Sequence, residues 1–225
     1  ALKASLLLWD TDIDLLAYFS SINPKRFGID FSKNLQDNIE IHGELSYNQN
    51  VERYTIADSL LVTELTDNYS YLFGLRYLNE SNTTIIAEYY HNDFGLGKDE
   101  YTNYSEFLKN EANSLFGTIK QQALGVSQTY FKGQTLMRDY LYLKLSHPEP
   151  FYWLYFTPSI YTLYNLADNS FLLSFQMSYK PVTNTEFIFW ATTFAGDDNT
   201  EYGGKQVMQR MELWMRVFKK KRKLL

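Results

Sequence analysis

Charged side chains recur at alternate positions of this chain, and their prevailing sign changes between its two halves. In the first half they are Asp12, Asp14, Asp30, Glu40, Glu44 and Glu88, with Arg76 as the basic exception. In the second half they are Arg138, Lys144, Lys180, Arg210 and Arg216, with Glu212 as the acidic exception. If their strands form a closed cylinder, the two sets lie on different walls and create a transverse electric field. The alternative interpretation is that these charges are solvated, or paired across neighbouring strands.

Residues suited to catalysis or metal binding are sparse and poorly spaced. His42, His91 and His147 do not form an i, i+4 pair of the kind that binds a metal on a helix. The chain contains no cysteine, which excludes disulfides and thiolate chemistry. Its loop glycines lack the strand-to-helix context of a phosphate-binding turn. The sequence therefore predicts no catalytic residue, no metal site and no cofactor, and the net charge of −5 argues against a nucleic-acid partner.

The charged positions belong to segments in which apolar and polar residues alternate, a pattern typical of amphipathic β-strands. In the clearest segment, Phe171, Leu173, Phe175, Met177 and Tyr179 share one face, and mostly small or polar residues share the other. Aromatic residues make up 17% of the chain, which also favours strands. About eleven such segments predict an all-β protein.

The first two segments alternate out of phase with each other. We therefore predict two strands separated by a tight turn near Asp10, although one bulged strand is the alternative. Mean hydropathy is −0.35, and no window approaches the roughly 18 uncharged apolar residues of a transmembrane helix.

The predicted connections alternate in length. Short turns are expected near Asp10, Gln36, Ser81, Pro148 and Thr183. The connections between them cover residues 21–25, 49–68, 93–135, 166–169 and 195–205, and two of these are much longer than any turn of the first set. Residues 54–64 have some strand character, but we assign them to the second set because this keeps all the long connections at one end.

The longest connection, residues 93–135, is predicted to carry a short helix over residues 101–116. Phe107, Leu108, Lys109 and Glu111 would then form a constriction if the helix folds inward. The alternative is a mobile surface loop.

The amphipathic strands, the alternating connection lengths and the final strand over residues 207–218 together resemble bacterial outer-membrane porin-like β-barrels. The resemblance implies a transmembrane antiparallel up-and-down β-barrel of about 10–12 strands. It also implies a location in the bacterial outer membrane, contact with lipid and lipopolysaccharide, and passive diffusion of small polar solutes through a charged lumen. The barrel would occupy residues 1–218, with an external loop at 93–135. Residues 219–225 would form a basic tail, either an artefact or a natural extension.

Two other functions remain open at this stage. A structural or adhesive outer-membrane barrel would have a plugged lumen and functional external loops. A soluble β-protein would instead enclose an apolar ligand cavity. The odd strand count also raises the question of closure, because bacterial single-chain barrels have even numbers of strands. We expect the chain to be the C-terminal part of a larger barrel, or to be completed by a second copy or a partner chain.

Overall fold

The computed structural model describes residues 1–57, 60–112, 135–205 and 210–217. These residues form a single antiparallel sheet of eleven strands, each paired only with its sequence neighbours. The strands are β1 (Leu2–Leu8), β2 (Thr11–Tyr18), β3 (Arg26–Gln36), β4 (Ile39–Ala57), β5 (Leu60–Leu78), β6 (Thr84–Asn92), β7 (Asp139–Ser146), β8 (Phe156–Asn165), β9 (Phe171–Val182), β10 (Thr185–Ala195) and β11 (Arg210–Val217). The prediction of an all-β, up-and-down antiparallel sheet is confirmed, and β1 and β2 are separate strands.

The sheet is not closed, because β1 and β11 do not pair with each other in the described residues. The pattern as a whole predicts a barrel, but the odd strand count predicts that this chain does not close one by itself, and the open sheet agrees with that second expectation. Among the described residues, no helix is long and apolar enough to cross a membrane.

The pairing register sorts the side chains onto two faces. Directly opposed residues of neighbouring strands point to the same side of a sheet. Asp30 lies opposite Glu44, and Glu44 lies opposite Leu72 on one face, whereas Ile29 lies opposite Leu45 on the other. We call the first the polar face and the second the apolar face.

The apolar face is the more exposed of the two. Phe73 and Leu143 on this face are 54% and 41% exposed, whereas Ser174 and Asn165 on the polar face are fully buried. This distribution reverses the one found in water-soluble proteins, which bury their apolar side chains.

The β4–β5 hairpin extends much further than the sequence predicts. Each of its strands has 19 residues, so residues 51–57 and 60–66 pair where we expected an external loop. The pairing register shifts between Asn48 and Val51, at a bulge where Asn50 has a φ of 54°. The Asp67 carboxylate holds this bulge by accepting hydrogen bonds from the Asn50 amide and the Tyr47 hydroxyl. The bulge adds one residue to β4, so side chains beyond it that point to the apolar face occupy the opposite alternate positions from those before it.

Two other boundaries differ from the predictions. Helix α1 (Lys98–Ala112) begins three residues before the predicted start, because the Glu100 carboxylate accepts a hydrogen bond from the Gly97 amide and caps the first turn. Strand β8 begins at Phe156 rather than near Tyr152, since residues 150–152 form a 3₁₀ turn. The rest of the predicted helix, residues 113–116, and the tail at 219–225 lie outside the described residues.

Candidate functional site

The acidic half of the polar face contains several charge pairs. Arg76 on β5 lies opposite Glu40 on β4, and its guanidinium is 3.3 Å from the Glu40 carboxylate. Glu88 on β6 lies 3.3 Å from the ring of His42 on β4. The Arg76 guanidinium partly neutralises the acidic wall that the sequence predicts.

In the same half, Asp30 and Glu44 form a pair of like charges. They lie directly opposite each other on β3 and β4, and neither has an ion-pair partner among the described residues. Directly opposed like charges destabilise a sheet, so the pair persists at a local energetic cost. It concentrates negative potential at one place on the polar face.

The basic half is also mixed in sign. Glu186 at the start of β10 lies 3.7 Å from Lys180 and 3.9 Å from Arg216. Glu212 accepts a hydrogen bond of 2.7 Å from the indole of Trp214. Lys144 on β7 lies on the polar face opposite Tyr161 and has no ion-pair partner among the described residues.

For two of the predicted site residues, the structure describes the backbone alone. The side chains of Arg210 and Glu111 lie outside the described part of the structure, although their backbones belong to β11 and α1. For the charges that lie within strands, the alternation predicts the face of the sheet, but it does not predict the partners that the register brings within reach.

The most deeply buried polar cluster lies where the β10–β11 connection folds back over β7 and β8. Glu201 is fully buried, and three donors from different segments converge on its carboxylate. The Tyr140 hydroxyl donates at 2.6 Å, the Asn165 amide at 2.9 Å and the backbone amide of Leu136 at 2.8 Å. A buried carboxylate is costly unless it is hydrogen-bonded, and these donors supply that compensation.

A second set of contacts joins the same β10–β11 connection to the β8–β9 connection. The Asp168 carboxylate accepts a hydrogen bond from the Glu201 amide at 2.7 Å and another from the Ser170 hydroxyl at 2.7 Å. The Ser170 oxygen in turn accepts one from the Tyr202 amide at 3.2 Å. We call Tyr140, Asn165, Asp168, Ser170, Glu201 and Tyr202 the buried polar cluster. Sequence analysis missed it, because its members come from two strands and two connections and share no spacing.

Helix α1 connects this cluster with strand β4, which is several strands away from β7 and β8 in the sheet order. The Glu100 carboxylate lies 2.8 Å from the guanidinium of Arg53 on β4 and 3.0 Å from that of Arg138, just before β7. At its other side the helix contacts the β10–β11 connection, where the Tyr101 hydroxyl donates to the carbonyl of Thr200 and the Lys109 ammonium to Asn199. The helix therefore links strands that are separated by several neighbours in the sheet order.

The predicted constriction residues on α1 have different environments. Phe107 is buried, Leu108 is half-buried and Lys109 is exposed. Phe107 and Tyr104 are the buried side chains among the described residues of the helix, and Tyr101 packs against the core that includes Met137. Lys109 remains accessible next to Asn199.

The environment of α1 shifts the pKa values of two of its side chains. Burial raises the pKa of Glu100, but the hydrogen bond from the Gly97 amide and the adjacent Arg53 guanidinium outweigh it, so the net pKa lies below the usual value. Burial, with the nearby carboxylates of Glu201 and Asp168, raises the pKa of Tyr101 to about 12. Glu100 is thus ionised and Tyr101 neutral at physiological pH.

Comparison of the chain with protein-family models gives no match, and comparison with curated proteins gives none either.

We predict that Tyr140→Phe destabilises the buried polar cluster. The substitution removes the donor to Glu201 and the acceptor of the Met137 amide, and it leaves both partners buried. The expected loss is about 1–3 kcal/mol of unfolding free energy, measured by urea titration. Tyr164→Phe is the matched control, since that hydroxyl donates to Asn169 at an exposed position. Equal urea midpoints for the two variants would contradict this role.

We also predict that the docking of α1 depends on pH through Glu100. Because the folded-state pKa of Glu100 is lowered, its stabilising contribution is complete above the unfolded value of 4.5 and is lost as pH falls below it. Limited proteolysis near α1 should accelerate over that acidic range. Glu100→Gln should be cleaved quickly already at neutral pH, whereas Glu106→Gln, an exposed carboxylate on the same helix, should behave like the unmodified chain. A Glu100→Gln variant with the original pH profile would refute the prediction.

Proposed function

We propose that this chain forms wall strands of a bacterial outer-membrane porin-like channel that passes small polar solutes by diffusion. The observation that carries the proposal is the separation of an exposed apolar face from a polar face across most of the strands; β10 departs from it, with Ile188 and Trp190 on the polar face. Large exposed apolar surfaces need an apolar neighbour, and a lipid bilayer supplies one along the whole height of a strand. The apolar face would contact lipid and lipopolysaccharide, and the polar face would line water.

The aromatic residues of the apolar face support this assignment. Three strands carry aromatics eight residues apart near the two ends of that face: Tyr69 and Tyr77, Phe156 and Tyr164, and Phe171 and Tyr179. Eight residues extend about 26 Å along a strand, or about 20 Å across a membrane at the usual barrel tilt. This height approaches the roughly 25 Å apolar band of outer-membrane barrels, whose borders carry aromatic girdles.

The polar face supports selectivity by charge. Asp30 and Glu44 concentrate negative charge on β3 and β4, while Lys144 places an unpaired ammonium on β7. These residues have no ion-pair partner among the described residues, and they would contribute to the proposed transverse field.

Conduction also requires the sheet to close. A β-barrel has no free edges in the membrane, because unpaired backbone groups there cost several kcal/mol each. We propose that further strands complete the ring, supplied by the same polypeptide, by a second copy or by a partner chain.

The buried polar cluster favours a second function for the same fold. Helix α1 and the β10–β11 connection cover part of the polar face at one end, and Glu201, Tyr140 and Asn165 are fully buried there. If this covering is complete in the closed barrel, the protein is a structural or adhesive barrel whose external loops carry its function.

One experiment separates these functions. The full chain, purified in detergent, should show a heat-dependent shift in gel mobility and should give discrete, ohmic current steps in planar bilayers. A heat shift without current at any voltage would select the structural barrel. Free solubility without detergent, together with no heat shift, would contradict both membrane functions.

For the channel, we predict that Lys144→Glu shifts ion selectivity towards cations. The variant replaces an unpaired positive charge on the polar face with a negative one, so the reversal potential in a salt gradient should move in the cation-selective direction. Lys25→Glu makes the same change of charge in the exposed β2–β3 connection and serves as the control. Identical reversal potentials for Lys144→Glu and Lys25→Glu would count against a lumen position for Lys144.

A further inference from the structure

The β7–β8 turn presents an unusually apolar surface to its surroundings. Five consecutive residues are large and exposed: Phe151 by 97%, Tyr152 by 97%, Trp153 by 53%, Leu154 by 60% and Tyr155 by 62%. We call residues 151–155 the aromatic turn. Isolated exposed apolar residues are common on protein surfaces, but a continuous group of this size indicates an interaction site.

The backbone holds the aromatic turn in a defined shape. Glu149, Phe151, Tyr152 and Tyr155 have φ values between 54° and 62°, in the left-handed region that non-glycine residues rarely adopt. Such residues persist only where surrounding contacts enforce them. Here the Glu149 carboxylate accepts a hydrogen bond from the Tyr155 amide, and the Tyr155 carbonyl accepts one from the Lys180 amide. The aromatic side chains are thus displayed by a fixed backbone.

The aromatic turn is continuous with the apolar face of the sheet. The Trp153 ring stacks on Phe156 with centroids 4.4 Å apart and meets the edge of Tyr179 at 5.4 Å. Phe156 and Tyr179 are cross-strand partners at one end of that face. No charged residue occurs from position 150 to position 167. The surface that begins on the strands therefore extends past their ends along a segment without charge, and Glu149 and Lys180 are the charged residues that bond to it.

We propose that the aromatic turn is an interfacial anchor that inserts between the headgroups of the adjacent lipid leaflet. This inference rests on the proposed membrane function. Tyr and Trp are favoured at this depth because their rings are apolar while their hydroxyl and indole groups can still bond to headgroups and water. Phe156 marks the edge of the apolar band, so the turn that precedes it lies at headgroup level. A protein partner could bind an isolated aromatic turn, so it would not explain why this turn is continuous with the apolar face of the sheet.

Fluorescence quenching by brominated lipids tests the anchor. The full chain and its Trp153→Phe variant are inserted into phosphatidylcholine vesicles with bromine placed either high on the acyl chains, near the headgroups, or near their ends. The other three tryptophans are present in both proteins, so the difference between the two emission spectra reports Trp153 alone. A third protein, which combines Trp153→Phe with Phe175→Trp, adds a reporter in the middle of the apolar face on β9.

The anchor predicts that the Trp153 emission is lost mainly with the shallow bromine and the Phe175→Trp emission mainly with the deep bromine. If the Phe175→Trp reporter is quenched while Trp153 responds to neither position, the anchor is overturned and the membrane function stands; the turn would then bind protein. If neither reporter responds, the proposed membrane function fails, and the anchor fails with it.

Discussion

The two-residue alternation of the strands, held in register across the sheet, is the constraint on which the other features depend. A slip of one residue would move every apolar side chain of a strand to the opposite face. The register shift between Asn34 and Gln36 lies near the end of β3, and the shift between Asn48 and Val51 lies within β4, where the first section of the strand meets its extension. The two faces of that first section stay separate. That separation leaves an exposed face of aliphatic and aromatic side chains and a polar face that is partly covered.

The covering of the polar face follows from the same constraint. Because alternate residues on β7 and β8 point to one side, Tyr140 and Asn165 lie opposite each other and can both donate to a carboxylate that arrives from a loop. Glu201 satisfies this geometry, and Asp168 fixes the loop that carries it. Removing a carboxylate from water is costly, so the donors and the loop conformation depend on each other. Helix α1 then extends the covered region towards β4 through Glu100 and Arg53.

The two ends of the sheet differ in chemistry. At one end, a helix and two connections join distant strands through hydrogen bonds and ion pairs, which suits a region that controls passage or presents loops. At the other end, the uncharged aromatic turn extends the apolar face beyond the strands, while the ion pairs of Glu186 with Lys180 and Arg216 lie on the polar face. The difference supports a fixed orientation relative to two unlike surroundings, which a channel wall and a structural barrel both require.

By itself, the sequence determined the strand type, the antiparallel up-and-down order and the face of most side chains, because alternation is a local property of the backbone. It predicted α1 only approximately, since the Glu100 cap that starts the helix is not part of an apolar pattern. It failed at residues 51–57 and 60–66, because the alternation of connection lengths assigned the segment to a loop and did not consider that its two halves pair with each other as the end of one long hairpin. Only the tertiary structure decided which charges meet and that Glu201 is buried with its carboxylate bonded to Tyr140. These features depend on register and on loop paths, which bring together residues far apart in the chain that no local spacing connects.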